Sequence, residues 1–262
     1  MLLLYSVYSN GSMKMAQPVR RADSPRGLHT LYIIKSMPPS SHPIASPRAV
    51  LVSGGLDSAV LLGESLTHRD AVYPLYIHTG LKWETVEMEY LQRYLQAFAE
   101  PALQPLTVLE QPVVDLYASH WSLTGRDVPD SHSPDEAVYL PGRNVLLLSK
   151  AMLWCHLHSI VELALAPLQA NPFPDATPAF FNAFQDAVNQ AVEGHVRVLW
   201  PYLHMSKKDV LLRGRELPLQ HTFSCLQPVA GRHCGACNKC GERQRAFREA
   251  GMIDPTVYTR EN

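Results

Sequence analysis

The sequence contains no uninterrupted apolar run near the ~18 residues that a membrane-spanning helix needs, so a chain threaded through a bilayer by helices is excluded. An excess of either charge is also missing: 23 Lys and Arg stand against 24 Asp and Glu, a formal net charge of -1. That balance speaks against a protein whose main task is to neutralise nucleic-acid backbones. A secretory leader is not expected, since Leu2-Leu3-Leu4-Tyr5 is short and has no basic residue before it. The expectation is therefore a cytoplasmic protein, in which disulfides are a poor account of the five cysteines. Two common nucleotide-loop signatures are absent as well: no Gly-Lys-Ser/Thr closes a Walker loop, and no G-x-G-x-x-G occurs. What is present is globular material. The 262 residues are 46% hydrophobic and 18% charged, enough for one large α/β domain or two small ones around a sizeable core.

The near-zero net charge hides a split. Residues 1–48 hold Lys14, Arg20, Arg21, Arg26, Lys35 and Arg48 against Asp23 alone, so the rest of the chain is mildly acidic. Met37-Pro38-Pro39-Ser40-Ser41-His42-Pro43 is a run of breakers that sustains neither helix nor ladder. Residues 1–48 are expected to be a basic, disordered leader, with Met37 a plausible start; a transit peptide is the looser reading. A single domain is expected over 49–262.

Short apolar runs over 49–53, 71–77, 106–109, 160–165 and 196–199 predict buried strands. Between them, apolar residues at helical spacing predict helices over 57–68, 83–98, 144–156, 176–193 and 207–216. This alternation predicts a doubly wound parallel sheet. The polar stretch 119–137 is expected to be a long loop with the character of a lid.

Ser53-Gly54-Gly55-Leu56-Asp57-Ser58 joins the first expected strand to the first expected helix. Two glycines let the backbone approach an oxyanion, and a helix start offers unpaired N–H groups and a positive dipole end. Ser53 and Ser58 add hydroxyls, and Asp57 is placed where it can cap the helix. An ordinary strand–turn–helix is the plainer alternative, but the whole hexapeptide in this setting favours phosphate binding. The loop resembles the PP-loop of ATP pyrophosphatases, the group that includes NAD synthetase, asparagine synthetase and tRNA thiolases. That resemblance implies a Rossmann-like fold, binding of ATP with Mg2+ on Ser53, Gly54, Gly55, Leu56, Asp57 and Ser58, and attack of a substrate oxygen on the α-phosphorus.

Cys155 stands alone in an apolar helical stretch and reads as a small buried hydrophobe. Cys225, Cys234, Cys237 and Cys240 follow a C-x8-C-x2-C-x2-C pattern. Four thiolates at such spacing can close a tetrahedral site around a structural Zn2+, with Gly235 and Gly241 permitting the tight turns. An iron–sulfur cluster is the competing occupant. A nucleic-acid knuckle is a further alternative, given Arg232, Lys239, Arg243, Arg245 and Arg248, but interleaved aromatics are nearly absent.

PP-loop and cysteine motif together resemble the 7-cyano-7-deazaguanine synthase family over about residues 49–250. Four further segments agree: Leu140-Pro141-Gly142-Arg143-Asn144, Asn171-Pro172-Phe173-Pro174-Asp175, Ser206-Lys207-Lys208-Asp209 and Thr222-Phe223-Ser224-Cys225. The resemblance implies an ATP-dependent conversion of 7-carboxy-7-deazaguanine and ammonia to the nitrile, on the route to queuosine. It implies that Arg143 counters charge on ATP or substrate, that Lys207 lies near the phosphates with Lys208 as its alternative, that Asp57, Arg143 and Lys207 serve catalysis, and that Arg143, Asn144 and Asp175 line the base pocket. Asp175 can accept two N–H bonds from a guanine-like edge; a helix cap before Ala176 is a compatible second role. Small-molecule partners are implied, with neither nucleic acid nor membrane, and relatives often form homodimers.

The chain departs from the family pattern chiefly on the base side. Ala176-Thr177 replace Cys-Arg after Asp175, Phe223 replaces Trp, and His78-Thr79-Gly80 replaces Tyr-Gly-Gln. The step from Cys225 to Cys234 is one residue longer than the family's commonest spacing. Three alternatives are carried forward: a thiolation-type enzyme adenylating a tRNA base, an amide-forming relative with another carboxylate substrate, and a non-catalytic nucleotide-binding module. Cys155 is a poor persulfide carrier for the first.

Overall fold

The computed structural model describes residues 46–260. The expected leader thus lies outside the described residues except for its last three. Five strands, β1 (Arg48–Leu51), β2 (Val72–His78), β3 (Thr107–Glu110), β4 (Glu162–Ala164) and β5 (Arg197–Leu199), form one sheet in the order β3-β2-β1-β4-β5. Every pairing is parallel. The helices are α1 (Leu56–His68), α2 (Glu84–Gln96), the single turns α3 (Val114–Tyr117) and α4 (Trp121–Thr124), α5 (Arg143–Leu157), α6 (Pro178–Val192), α7 (Lys207–Arg213) and α8 (Asn238–Glu249).

Strand residues alternate between two cores, as period-two geometry requires. Val50, Val52, Val72 and Tyr76 pack with Leu62 of α1, Leu91 of α2, Leu211 of α7 and Phe247 of α8. Ala49, Leu75, Ile77 and Leu163 face the other way, onto Leu148 and Met152 of α5 and Phe181 of α6. Helices on both faces explain why the strands read as continuous apolar runs rather than polar–apolar alternation. Pro74 is tolerated inside β2 for a local reason. Val72 donates to Ala102 and accepts from Gln104, which places residues 72 and 74 on the β3 side. The β3 ladder begins only at Leu75↔Thr107, so the missing N–H of Pro74 falls in a gap.

Besides α2, which is trimmed at both ends of the expected 83–98, two expected helices are shorter than the sequence suggests. The 176–193 segment is a 3-10 turn at Pro174–Ala176 followed by α6, which Thr177 starts by accepting from the Phe180 N–H at 3.2 Å. The second, α7, opens with a reciprocal box in which Ser206 and Asp209 satisfy each other's backbone N–H. It stops at Gly214, which lies against α1: a Cβ there would come within 2.3 Å of Val60 Cγ2. The 119–137 stretch also differs from a free lid. It contains α4, and it is strapped to the cysteine segment by Ser131 N–H to Ala236 O (2.9 Å) and Asn238 N–H to Pro129 O (2.8 Å). No described helix is long and apolar enough to cross a membrane.

Arg243 of α8 ties the chain's end to this framework. It is 1% exposed and donates to Thr256 Oγ1 (2.6 Å), Thr222 Oγ1 (2.8 Å) and Leu219 O (3.2 Å), with Asp254 at 3.5 Å. Burial lowers its pKa, while Asp254 and Tyr258 support the charge. Arg243→Ala strips buried acceptors of their donor and is expected to cost about 3–5 kcal/mol in urea unfolding. Arg245→Ala, on the same helix, serves as the control.

Candidate active site and metal centre

In an open parallel sheet the ligand crevice lies past the carboxyl ends of the strands, where strand order reverses. Here the reversal is between β1 and β4. Two communicating hollows of about 260 and 450 Å3 open there and share Ser53, Gly55, Asp57, Glu87, Arg143 and Asn171.

The loop from β1 to α1 forms the floor. Gly54 has φ +69°, and a Cβ there would lie 3.1 Å from Glu87 Cγ and 3.2 Å from Glu87 O, so both backbone and space require glycine. The Ser58 hydroxyl donates to Gly55 O and accepts from Ser53 N–H, each at 3.2 Å, which fixes the turn. Asp57 does not cap α1, contrary to the sequence expectation. Gly55 is the N-cap with no side chain serving it, and Asp57 sits in the first turn. Its carboxylate is taken by a stronger partner, Lys207 Nζ at 2.6 Å. The first-turn N–H groups are consequently left to the cavity.

The cations expected from the sequence do converge. Lys207, at the start of α7, bridges Asp57 and Glu242 (3.2 Å), and Lys239 pairs with Glu242 at 2.5 Å. Burial alone would lower the Lys207 pKa, but the two carboxylates outweigh it and hold the ammonium above its ordinary value. For Glu242, burial is likewise outweighed by Lys207 and Lys239, which pull its carboxyl down to about 2. Asp57 Oδ1 and Arg143 Nε are buried without a hydrogen-bond partner among the described residues, and both residues line the two hollows. Arg143 opens α5, and Asn144 follows it. Asp175 Oδ2 accepts from the Asn144 N–H at 2.9 Å, while its backbone carbonyl accepts from Asn144 Nδ2 at 2.9 Å. Asp175 therefore caps α5 from outside rather than its own helix.

Two acids went unread in the sequence, both on the buried side of α2. Glu84 accepts from the N–H groups of Thr79 (2.9 Å) and Gly80 (2.7 Å) and from the Thr79 hydroxyl. Glu87 accepts from Tyr76 Oη at 2.8 Å. The available signal was a pair of acids three residues apart in the first turn of a helix that follows a Gly-containing strand end. Such a pair usually faces solvent; here that face is the cavity.

The four cysteines meet at one point, with their Sγ atoms all within 4.8 Å of one another. Two Sγ···Sγ distances, Cys234–Cys240 and Cys225–Cys237, are 3.9 Å. A tetrahedral ion with ~2.3 Å metal–sulfur bonds needs edges of about 3.8 Å, so the donor set fits a single ion. Backbone N–H groups of Leu226, Gln227, Cys234, Ala236 and Cys237 point at the sulfurs, 3.3–3.4 Å away, a favourable field for thiolates. The centre abuts the phosphate loop: Phe223 N–H donates to Gly54 O at 2.7 Å, and Cys225 itself lines the larger hollow. His233 fixes the intervening backbone. Burial depresses its pKa to about 3, and the neutral ring accepts from Ser224 N–H at 3.1 Å.

A doubly wound sheet, a glycine-bearing loop at its switch point and converging cations define the chain as a PP-loop type of nucleotide-binding α/β protein. Comparison with known sequences narrows this. The family described as "Queuosine biosynthesis protein QueC" matches residues 48–251, and the chain belongs to that family. Curated relatives include the 7-cyano-7-deazaguanine synthase of Brucella ovis, 35% identical over 226 residues that cover 80% of this chain and 92% of the relative. That of Syntrophotalea carbinolica is 31% identical over 230 residues, 81% and 96% of the two chains. Among solved structures, a 4-thiouridine synthetase–RNA complex with bound ATP is 15% identical over 79% of this chain and 50% of that one, at TM-score 0.42, a likeness too loose to carry an argument.

Two measurements check the geometry. Gly54→Ala is expected to weaken ATP binding at least about tenfold by calorimetry, because the loop must move off Glu87. The Glu242 carboxyl is held at about 2, below its ordinary 4.5, so its stabilisation is complete above pH 4.5 and lost as pH falls towards 2. Glu242→Gln should flatten that part of the stability–pH curve.

Proposed function

We propose that the chain couples cleavage of ATP to AMP and pyrophosphate with conversion of 7-carboxy-7-deazaguanine and ammonia to 7-cyano-7-deazaguanine. The observation that carries this reading is the phosphate loop and the Asp57–Lys207–Glu242 array facing one cavity in a chain of the QueC family. A carboxylate oxygen is a hopeless leaving group for ammonia, and adenylation lets it depart as AMP. The loop N–H groups receive the pyrophosphate, and Lys207 meets the charge that grows on it. Arg143, whose Nε is unpartnered, holds the substrate carboxylate or the α-phosphate. Asp175, with Oδ2 fixed by Asn144, offers Oδ1 to the base's N–H edge. Mg2+ accompanying the nucleotide would be held by Asp57 through its orphan Oδ1 and would screen phosphate charge there.

We assign one Zn2+ to Cys225, Cys234, Cys237 and Cys240 as a structural ion within a single 49–262 unit. An iron–sulfur cube binds each thiolate on a different iron and would spread the sulfurs further than the 4.8 Å seen. The knuckle reading loses two of its five cations, since Arg243 is buried and Lys239 is paired with Glu242. Thiolation through Cys155 is disfavoured because that thiol is buried in the core beneath α5, where desolvation pushes its pKa up to about 12.

The direct assay supplies ATP, ammonium and 7-carboxy-7-deazaguanine, with AMP and a nitrile product by mass spectrometry as the expected result. ATP turnover only with tRNA would replace this reading with base thiolation. Asp57→Ala should abolish adenylation and leave zinc content unchanged. Cys237→Ser should lose both zinc and adenylation, because the metal loop holds Gly54 through Phe223.

A further inference from the structure

Glu87 has no role in the reading above, yet it sits where both hollows meet. It is 7% exposed and lies directly beneath the phosphate loop, in contact with Gly54. Tyr76 Oη holds Oε2 at 2.8 Å, while Oε1 has no hydrogen-bond partner among the described residues and is left for the cavity. The other carboxylates on the wall have assigned partners or roles: Asp57 has one oxygen on Lys207 and its Oδ1 assigned above to Mg2+, Glu242 lies between Lys207 and Lys239, Glu84 holds the Thr79–Gly80 backbone, Asp175 meets Asn144 through one oxygen, and Asp135 lies against Asn238 Nδ2 at 3.5 Å.

The proposed reaction sheds protons from nitrogen, and no residue named so far accepts them. Ammonia that attacks the acyl adenylate carries a surplus proton once the C–N bond forms. The amide must then lose two more protons to become a nitrile. We propose that Glu87 is the proton acceptor for the substrate nitrogen in both halves of the reaction, an inference that rests on the function read above. In the first half, nitrogen bonds to the acyl carbon, the C–O bond to AMP breaks, and the surplus N–H proton passes to the Glu87 carboxylate, which gives it up to water before the second half begins. In the second half, the amide oxygen attacks the α-phosphorus of a second ATP and expels pyrophosphate while one N–H proton goes to Glu87. After Glu87 releases that proton to water, it takes the last N–H proton. The freed electron pair completes the triple bond as AMP leaves with the oxygen.

The surroundings tune the group for this task. Tyr76 faces it from β2, Glu84 from one turn earlier on α2, and Arg143 from α5. The loop contributes Gly54 and Asp57, the latter neutralised by Lys207. Burial raises its carboxyl to about 8 against the pull of Arg143 and the Tyr76 hydrogen bond, with Glu84 adding to the rise. A base poised near the working pH is the efficient choice, worth about 10²–10⁴-fold in rate.

The test compares the full-length wild type with Glu87→Gln. Carboxylate-dependent ATP–pyrophosphate exchange should persist in the variant, because adenylation needs no proton acceptor. Amide and nitrile formation should fall at least about 100-fold. With the concentration of free ammonia held constant, wild-type nitrile formation should rise with pH through about 8, and the variant's residual rate should not. Stability supplies a readout apart from activity. The folded carboxyl titrates at about 8 and the unfolded one at about 4.5, so wild type should lose stability relative to the variant as pH rises between those values. Nitrile formation at the wild-type rate by the variant, or loss of exchange in a folded variant, overturns the assignment. Should Glu87→Gln fail to fold, Glu87→Asp and the wild-type pH profile decide, and a profile flat from pH 6 to 9 overturns it. A wild type that makes no AMP from 7-carboxy-7-deazaguanine overturns the functional reading instead, and this proposal with it.

Discussion

A phosphate loop works only if its backbone amides are fixed before the ligand arrives, because reorganising them during reaction would forfeit their electrostatic advantage. In this protein the fixing comes from the other end of the chain. The Phe223 N–H reaches the Gly54 carbonyl at 2.7 Å, and Phe223 is held in turn by the ring of His233 and by the fold of the cysteine loop. One main-chain hydrogen bond thus joins the four-cysteine cluster to the floor of the active site. The centre also starts α8, since Cys237 is the helix N-cap, and α8 carries Glu242 to Lys207. Both the shape of the loop and the placing of its cation therefore trace back to four cysteines.

The site's charges form an alternating chain: Asp57, Lys207, Glu242, Lys239. Each member is stabilised by its neighbours, so none is an uncompensated buried charge in the absence of ligand. Arg143 is the exception, with a buried Nε that finds no hydrogen-bond partner among the described residues. That imbalance is local. The chain as a whole is near neutral, and its ability to attract an anionic nucleotide lies in a few placed groups rather than in a general excess of positive charge.

The sequence disclosed what local physics determines. Buried parallel strands, a Gly-Gly turn at a helix start and closely spaced cysteines each carry their meaning within about fifteen residues, and the structure assembles them as the resemblance implied. It disclosed less where partners come from far away. Asp57 looks like a helix cap because Asp commonly is one; Lys207, 150 residues distant in sequence, takes it instead. Asp175 looks like the cap of the helix it precedes, yet it serves α5 across the cavity. Glu84 and Glu87 read as the solvated face of an amphipathic helix, because hydrophobic periodicity cannot distinguish water from a polar cavity. The strapping of 119–137 to the cysteine segment rests on backbone hydrogen bonds, which leave no trace in side-chain composition.

The Phe223–Gly54 bond also sets an order of events during synthesis. Residues 53–58 are made early, but the segment that secures them ends at Cys240, near the end of the described chain. Until Phe223 has been made, the Gly54 carbonyl lacks the N–H that holds it, so a later stretch of the chain completes an earlier loop.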